Sequence, residues 1–185
     1  AFVEIEKSAS NDGNQVEIDI DDKRLTPEWR AAALKGAREA LENGVVAGYQ
    51  VLGVKVKITK LEFEEDTSHE AAFQIVSSMA VREALRGGKC VLLEPVFFLE
   101  VVCPEEFLGS VIGDLNSRRG KVIATQAKAH LQAVEGEAPL AELFGYATDL
   151  RSLTQGRGTF IMKFHEYAPM PERAQNELLK KMGRL

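Results

Sequence analysis

Two arginine-containing turns have the residue types that could hold a phosphate group. Arg118-Arg119-Gly120 follows an apolar run, and Gln155-Gly156-Arg157-Gly158 precedes a strand-like segment. Guanidinium groups bind phosphate oxygens in pairs, and glycine lets a partner approach the backbone closely. The same residues also suit ordinary helix-end and turn chemistry, because arginine complements a helix C-terminus and glycine tolerates positive φ. Residue types and spacing alone leave both interpretations open.

Patterns for catalysis, nucleotide binding and metal binding are missing from the sequence. No Gly-x-x-x-x-Gly-Lys-Ser/Thr loop is present to cradle nucleotide phosphates. His165-Glu166-Tyr167 is more typical of a polar cluster at a strand end than of a base and acid pair. Cys90 and Cys103 lie in apolar contexts typical of buried, reduced thiols. Neither cysteine has a histidine at the sequence spacing typical of metal ligands. We therefore predict no catalytic residue, cofactor or metal site in this chain, which is not itself an enzyme.

Charge and composition indicate a globular protein with an uneven charge distribution. Apolar residues make up 45% and charged residues 28%, and the net charge is −5. Residues 1–95 carry 12 Lys and Arg against 17 Asp and Glu, whereas residues 96–185 carry 11 of each. This balance argues against nonspecific nucleic-acid binding but leaves room for a local basic surface in the second half. The apolar runs are strand-sized, so we expect no membrane contact and a cytoplasmic protein.

The first half predicts a ββαβαβ domain over residues 1–95. Thr26 and Pro27 have the types expected at a helix start, and Thr67 to Glu70 have capping-box spacing. The second helix is expected to bury Phe73, Val76 and Met79. Predicted strands cover 2–7, 16–20, 51–63 and 89–93, with helices between Pro27 and Gly44 and between Glu70 and Gly87. Ala1 lies in a strand pattern without an initiating Met, which is typical of a fragment or a processed chain.

The second half predicts a ferredoxin-like βαββαβ domain over residues 96–170. Its strands are expected at 96–103, 121–126, 129–135 and 159–164, with helical segments after Pro104 and between Pro139 and Leu153. Leu143 and Phe144 count among the apolar residues of the second helical segment. A last segment, residues 171–185, holds a helix whose apolar edge is expected to pack back on the first domain. The predicted fold class is therefore α+β, with two domains meeting near Pro95.

Two long motifs carry a resemblance to a known family. Residues 110–120 read SVIGDLNSRRG, and residues 139–160 contain PLAELFGYATDLRS followed by TQGRGTF. Both resemble signatures of the fifth domain of elongation factor G, a family of translational GTPases. The first half is similar to the fourth domain through Ala71-Ala72-Phe73 and Leu93-Glu94-Pro95. The resemblance covers essentially the whole chain and identifies it as a C-terminal fragment of such a protein.

The resemblance implies a fold and a set of partners. The fourth domain of the family has a βαβ unit with an unusual left-handed crossover, and its tip reaches the decoding centre of the ribosome. The fifth domain is ferredoxin-like and contacts the stalk base and the sarcin–ricin loop. GTP and Mg²⁺ belong to an N-terminal GTPase domain outside this chain. The implied function is to couple GTP hydrolysis there to movement on the ribosome, with ribosomal RNA, ribosomal proteins of both subunits and the GTPase domain as partners.

The resemblance also implies which residues face the ribosome. The candidates for contact with ribosomal RNA are Arg118, Arg119, Gly120, Gln155 and Arg157. Because both turns belong to one βαββαβ domain, we expect them to lie near one another. The candidates in the two tip loops are Asp21, Asp22, Lys23, Arg24, Glu64, Glu65 and His69.

The tip loops differ from the family pattern. Asp21–Arg24 stands where the translocase has a glycine pair, and acidic residues follow Phe63 where it has a histidine. Carboxylates repel RNA phosphates, which favours a diverged paralogue acting in ribosome splitting, rescue or antibiotic protection. Two other classes stay open: a stand-alone RNA-processing enzyme, and a protein-interaction module that keeps only the fold.

Overall fold

The structure is a computed structural model that describes residues 1–8, 13–64 and 68–183. The chain divides into two compact units: unit 1 is Ala1–Val91 with Asn176–Leu185, and unit 2 is Leu92–Gln175. Each unit has its own buried apolar core. Within the described ranges no helix combines the length and apolarity needed to cross a membrane. The predicted α+β class is confirmed.

Unit 1 is a three-stranded sheet covered by two helices. Its elements are β1 (Phe2–Lys7), β2 (Gln15–Ile18), α1 (Pro27–Glu42), β3 (Val54–Lys60) and α2 (Glu70–Gly87). The strand order is β1-β3-β2, with β1 antiparallel and β2 parallel to β3. The parallel strands β2 and β3 are joined through α1, which forms the predicted βαβ unit. The left-handed sense of that crossover stays a prediction.

Helix α1 begins and packs as its sequence predicts. The Oγ1 atom of Thr26 accepts a hydrogen bond from the backbone N–H of Trp29, and Pro27 occupies the first helical position. Its buried side faces α2 so closely that a Cβ on Gly36 would meet the carbonyl oxygen of Gln74 at 1.9 Å. Only glycine fits that contact between the helices.

Helix α2 buries a different face from the predicted one. The buried residues are Phe73, Ser77, Val81 and Leu85, whereas Val76 and Met79 are exposed. The sequence offers two apolar stripes on this helix, and the stripe containing the large Phe73 ring is the one that packs. Phe73 stacks on Trp29 with ring centroids 4.9 Å apart. The predicted capping box also fails, because Glu70 begins the helix directly after His69, and Thr67 lies outside the described residues.

The predicted fourth strand of the first half does not form. Residues 89–92 are irregular, and a single long strand, β4 (Leu93–Pro104), begins where the predicted strand would have ended. Leu93, Glu94 and Pro95 pair with the strand Thr159–Pro169 of unit 2 instead. Pro95 is tolerated because β4 has a neighbour on one side only at that point. The strand predicted from residue 96 therefore begins three residues earlier, at Leu93, and most of the predicted strand 89–93 is irregular.

Unit 2 has the predicted βαββαβ order. After β4 come α3 (Leu108–Ser117), β5 (Lys121–Lys128), β6 (Leu131–Pro139), α4 (Tyr146–Leu153) and β7 (Thr159–Pro169), with 3-10 turns at Glu105–Phe107 and Leu140–Glu142. The sheet order is β5-β6-β4-β7, all antiparallel. Val111 and Leu115 of α3 and Tyr146 and Leu150 of α4 fill the core. A last helix, α5 (Glu172–Lys181), follows, and the residues from Asn176 onward belong to unit 1.

Candidate functional site

Helix α3 ends in a Schellman motif that carries Arg118, Arg119 and Gly120. The backbone N–H of Gly120 donates to the carbonyl of Leu115 at 2.8 Å, and that of Arg119 donates to Asn116 at 3.2 Å. The left-handed position belongs to Arg119, with φ of +59°, and not to the glycine. Gly120 is required by close approach instead, since a Cβ there would meet the Leu115 carbonyl oxygen at 2.6 Å.

The Arg118 side chain is committed to contacts within unit 2. Only 14% of it is exposed, and it donates to Asp114 at 2.9 Å, to the Glu142 carbonyl at 2.8 Å and to Asp149 at 2.5 Å. Its guanidinium lies 5.1 Å from the ring centroid of Tyr146. The hydrogen bond with Asp114 is the main reason that the pKa of Arg118 is raised. This arginine ties the end of α3 to the start of α4.

Arg119 binds a buried carboxylate. Its guanidinium is hydrogen-bonded to Glu94 of β4, whose side chain is only 6% exposed, and lies 3.5 Å from a carboxylate oxygen of Glu142. Glu94 belongs to the Leu93-Glu94-Pro95 motif, which sequence reasoning did not connect with the arginine pair. Burying a carboxylate is tolerated when a cation neutralises it. Arg119 supplies that charge here.

Helix α4 ends in a second Schellman motif that carries Gln155 and Arg157. The backbone N–H of Gly156 donates to Arg151 at 2.7 Å, and Gln155 and Gly156 both have positive φ, +53° and +79°. This confirms the turn as one that needs positive φ. The buried Thr154 fixes it from inside, because its Oγ1 accepts from the Gly158 N–H and donates to the Leu150 carbonyl.

Arg157, like Arg118, lies over an aromatic ring, but its side chain is more exposed. Half of its side chain is accessible, and it pairs with Glu106 at 2.6 Å while lying 4.7 Å from the Phe107 ring centroid. Glu106 and Phe107 precede α3, whereas Arg118 at the other end of α3 contacts the start of α4. The ten-residue α3 is about 15 Å long. The two turns therefore lie at opposite ends of an antiparallel helix pair, and the expectation that they lie together is wrong.

The described tip residues are mostly exposed, and Asp22 and Arg24 pair with each other. Arg24 donates to both carboxylate oxygens of Asp22, and this bond is the main reason that the pKa of Asp22 is lowered. The Arg24 guanidinium also lies 5.3 Å from the Phe63 ring centroid, which connects the two tip loops. Asp21, Lys23, Glu64 and His69 are exposed, and Glu65 lies outside the described residues.

Sequence reasoning missed two aromatic residues beside the arginine pair. Tyr146 is buried under Arg118, and burial raises the pKa of its hydroxyl. Phe144 was expected among the apolar residues of the second helical segment, but it is 78% exposed and lies outside the core. In the described ranges no group of three or more His, Cys, Asp or Glu could hold a metal ion. The arrangement suits binding by placed side chains on rigid turns.

The two units together define a βαβ-containing α+β domain followed by a ferredoxin-like domain. Sequence models described as "Elongation factor G, domain IV" and "Elongation factor G C-terminus" match residues 1–89 and 91–178. The chain belongs to the elongation factor G family, in which it matches domain IV and the C-terminus.

Named relatives and a solved structure agree with this assignment. The chain is 47% identical to elongation factor G 1 of Bdellovibrio bacteriovorus, over 88% of this chain and 23% of that protein. It is 42% identical to elongation factor G of Aquifex pyrophilus, over 97% of this chain and 26% of that protein. A crystal structure from Thermus thermophilus superposes with a TM-score of 0.86 at 30% identity, covering 99% of this chain and 27% of that one. The chain thus spans about a quarter of the relatives it matches.

Proposed function

We propose that the chain is the ribosome-binding C-terminal region of an elongation factor G-like translational GTPase in the cytoplasm. GTP and Mg²⁺ would bind in an N-terminal domain of the full-length protein. Hydrolysis there would drive these two units against ribosomal RNA and ribosomal proteins, in translocation or a related remodelling step. The observation that carries the proposal is the match of both halves, in order, to domain IV and the C-terminus of this family.

Of the five predicted RNA-contact residues, Gln155 and Arg157 have the geometry best suited to direct contact. Both are exposed on a turn held rigid by Thr154. The Gln155 side chain makes no hydrogen bond to the described part of the chain, although its left-handed backbone would favour glycine. An amide and a guanidinium on a fixed turn suit phosphate and ribose oxygens. Arg118, Arg119 and Gly120 would act as the frame of the domain.

Titration of the 185-residue chain against 70S ribosomes tests this proposal. Arg157→Ala should weaken binding and reduce the salt dependence by about one unit for each phosphate that the protein no longer neutralises. Gln155→Ala keeps the strained backbone and removes the amide, so it should weaken binding with little change in salt dependence. Arg86→Ala is the matched control, because Arg86 is also exposed and paired with a glutamate at 3.0 Å. Equal losses of affinity in Arg157→Ala and Arg86→Ala would refute the site, and no binding by the wild-type chain would refute the function.

The acidic character of the tip favours a remodelling paralogue as the second candidate. Glu64 is exposed, and Asp21 and Asp22 lie in the other tip loop. Carboxylates near RNA oppose binding. Glu64→Gln should therefore leave the ribosome affinity equal or raise it. A large loss of affinity would instead mean that the tip recognises a protein or a cation through its carboxylates.

A further inference from the structure

Phe144 is an apolar side chain held in water by a rigid frame. It is 78% exposed, more than any other large apolar side chain in the described ranges. Its neighbours Leu143 and Tyr146 are both buried, and Gly145 between Phe144 and Tyr146 has φ of +80°. The turn is therefore anchored on both sides while the ring points out. Aromatic side chains bury a large apolar area and dominate the energetics of interfaces, so an exposed ring on a fixed turn is suited to act as a binding anchor.

Hydrogen bonds fix this turn from within unit 2. The backbone N–H of Leu143 donates to Leu140 at 3.0 Å, and that of Tyr146 donates to Leu143 at 3.1 Å. The Arg118 guanidinium holds the Glu142 carbonyl at 2.8 Å from the other side. The backbone that carries Phe144 thus requires no ordering when a partner arrives, which lowers the entropic cost of binding.

The charges beside Phe144 point to a protein and not to RNA. The linked cluster contains four carboxylates, from Glu94, Asp114, Glu142 and Asp149, and two guanidiniums, from Arg118 and Arg119. Its net charge is therefore −2, and its members beside Phe144 are the exposed Asp149 and the half-buried Glu142. Phosphates would be repelled by this rim, whereas lysine or arginine side chains would be attracted.

We propose that Phe144 inserts into an apolar pocket on a protein whose rim is basic. The site lies at the end of the helix pair opposite to Gln155 and Arg157, so it is separate from the RNA contact proposed above. It deepens the proposed function and rests on it, since a ribosomal protein of the large subunit would supply the pocket.

Titration of the chain against 50S subunits tests the anchor and its environment together. Phe144→Ala should weaken binding about tenfold, as expected for a central aromatic anchor. Phe144→Leu should retain most of the affinity, because a pocket accepts an aliphatic side chain and base stacking does not. Ala141 is exposed three residues earlier on the same turn. Ala141→Lys should weaken binding and Ala141→Glu should strengthen it.

Ile161→Ala is the matched control, since Ile161 is a 66% exposed apolar residue on β7. It should bind like the wild type, and all variants should keep the wild-type urea midpoint because every changed side chain is exposed. The proposal would be overturned in favour of a stacked nucleobase by two results together. Phe144→Leu would lose as much affinity as Phe144→Ala, and Ala141→Lys would strengthen binding while Ala141→Glu weakened it. Unchanged binding in Phe144→Ala would also overturn it while leaving the proposed function intact. A wild-type chain that does not bind 50S subunits would overturn both.

Discussion

Arg24 in unit 1 and Arg118 in unit 2 make the same kinds of contact in different surroundings. Each guanidinium pairs with a nearby aspartate and lies over an aromatic ring, at 5.3 Å from Phe63 for Arg24 and 5.1 Å from Tyr146 for Arg118. The Arg24 side chain is 64% exposed, however, against 14% for Arg118. Water competes for the first arginine and is largely excluded from the second.

The difference teaches that a motif of arginines at a turn does not by itself indicate a free binding surface. Arg24 reaches Asp22, two residues away, whereas Arg118 and Arg119 reach Asp149 and Glu94, which are distant in sequence. Removing one partner of a local exposed pair changes stability little, whereas removing one partner of a shielded pair leaves the other charge buried and unpaired. In unit 2 the arginines therefore stabilise the fold that presents Phe144, Gln155 and Arg157.

Arg119→Ala gives the largest expected effect. It leaves the buried Glu94 carboxylate without its cation, which should lower the free energy of unfolding by about 3 kcal/mol. Urea unfolding followed by circular dichroism measures this loss. The matched control is Arg24→Ala, which should leave the midpoint within error because its pair is exposed. Equal losses in the two variants would show that burial does not distinguish them.

Arg118→Ala should follow with a loss of about 2 kcal/mol, because two hydrogen bonds to partly buried acceptors and one to the exposed Asp149 disappear. Arg118→Lys should recover only part of it, since one ammonium cannot reach Asp114, Asp149 and the Glu142 carbonyl together. The same urea titration measures both variants. If lysine restores full stability, a point charge suffices and the forked geometry is unimportant.

Local sequence patterns predicted most of the fold. Thr26-Pro27 fixed the start of α1, and alternation with helical spacing predicted the βαββαβ order of unit 2. The elements that were predicted incorrectly are those whose local sequence is compatible with two different packing arrangements. Helix α2 carries two apolar stripes, and residues 89–93 read as a strand without indicating which sheet would accept them. Tertiary pairing decided both cases.

The candidate site was less predictable, because its contacts join residues that are distant in sequence. The sequence placed Arg118 at a helix end and Gln155 in a turn that precedes a strand, and the structure agrees with both. No local pattern shows that Glu94 would meet Arg119, or that α3 and α4 would run antiparallel and separate the two turns. Phe144 looked like a core residue by type. Gly145 has positive φ in the turn that leaves Phe144 exposed between the buried Leu143 and Tyr146, and residue type does not show this.

Tyr146→Phe should have the smallest effect at neutral pH, and that effect should grow under alkaline conditions. The Tyr146 hydroxyl is buried without a hydrogen-bond partner in the described part of the chain, so its removal should change stability by no more than about 1 kcal/mol at pH 7. Burial, with a smaller contribution from the charge of Asp114, raises its pKa above the unfolded value of about 10. The folded state thus retains a proton that the unfolded state releases.

The contribution of the protonated Tyr146 hydroxyl to the free energy of unfolding is therefore complete below pH 10. It is lost as the pH rises above 10. We compare the free energy of unfolding of the wild type with that of Tyr146→Phe at each pH. Between pH 7 and pH 10.5 this difference should shift by about 0.8 kcal/mol against the wild type. Tyr167→Phe is the control, because Tyr167 is an exposed tyrosine of the same unit. Urea unfolding of the three proteins at pH 7 and 10.5 measures both differences. A pH-independent difference for Tyr146→Phe would mean that water reaches the hydroxyl, and Arg118 above it would then be no better shielded than Arg24.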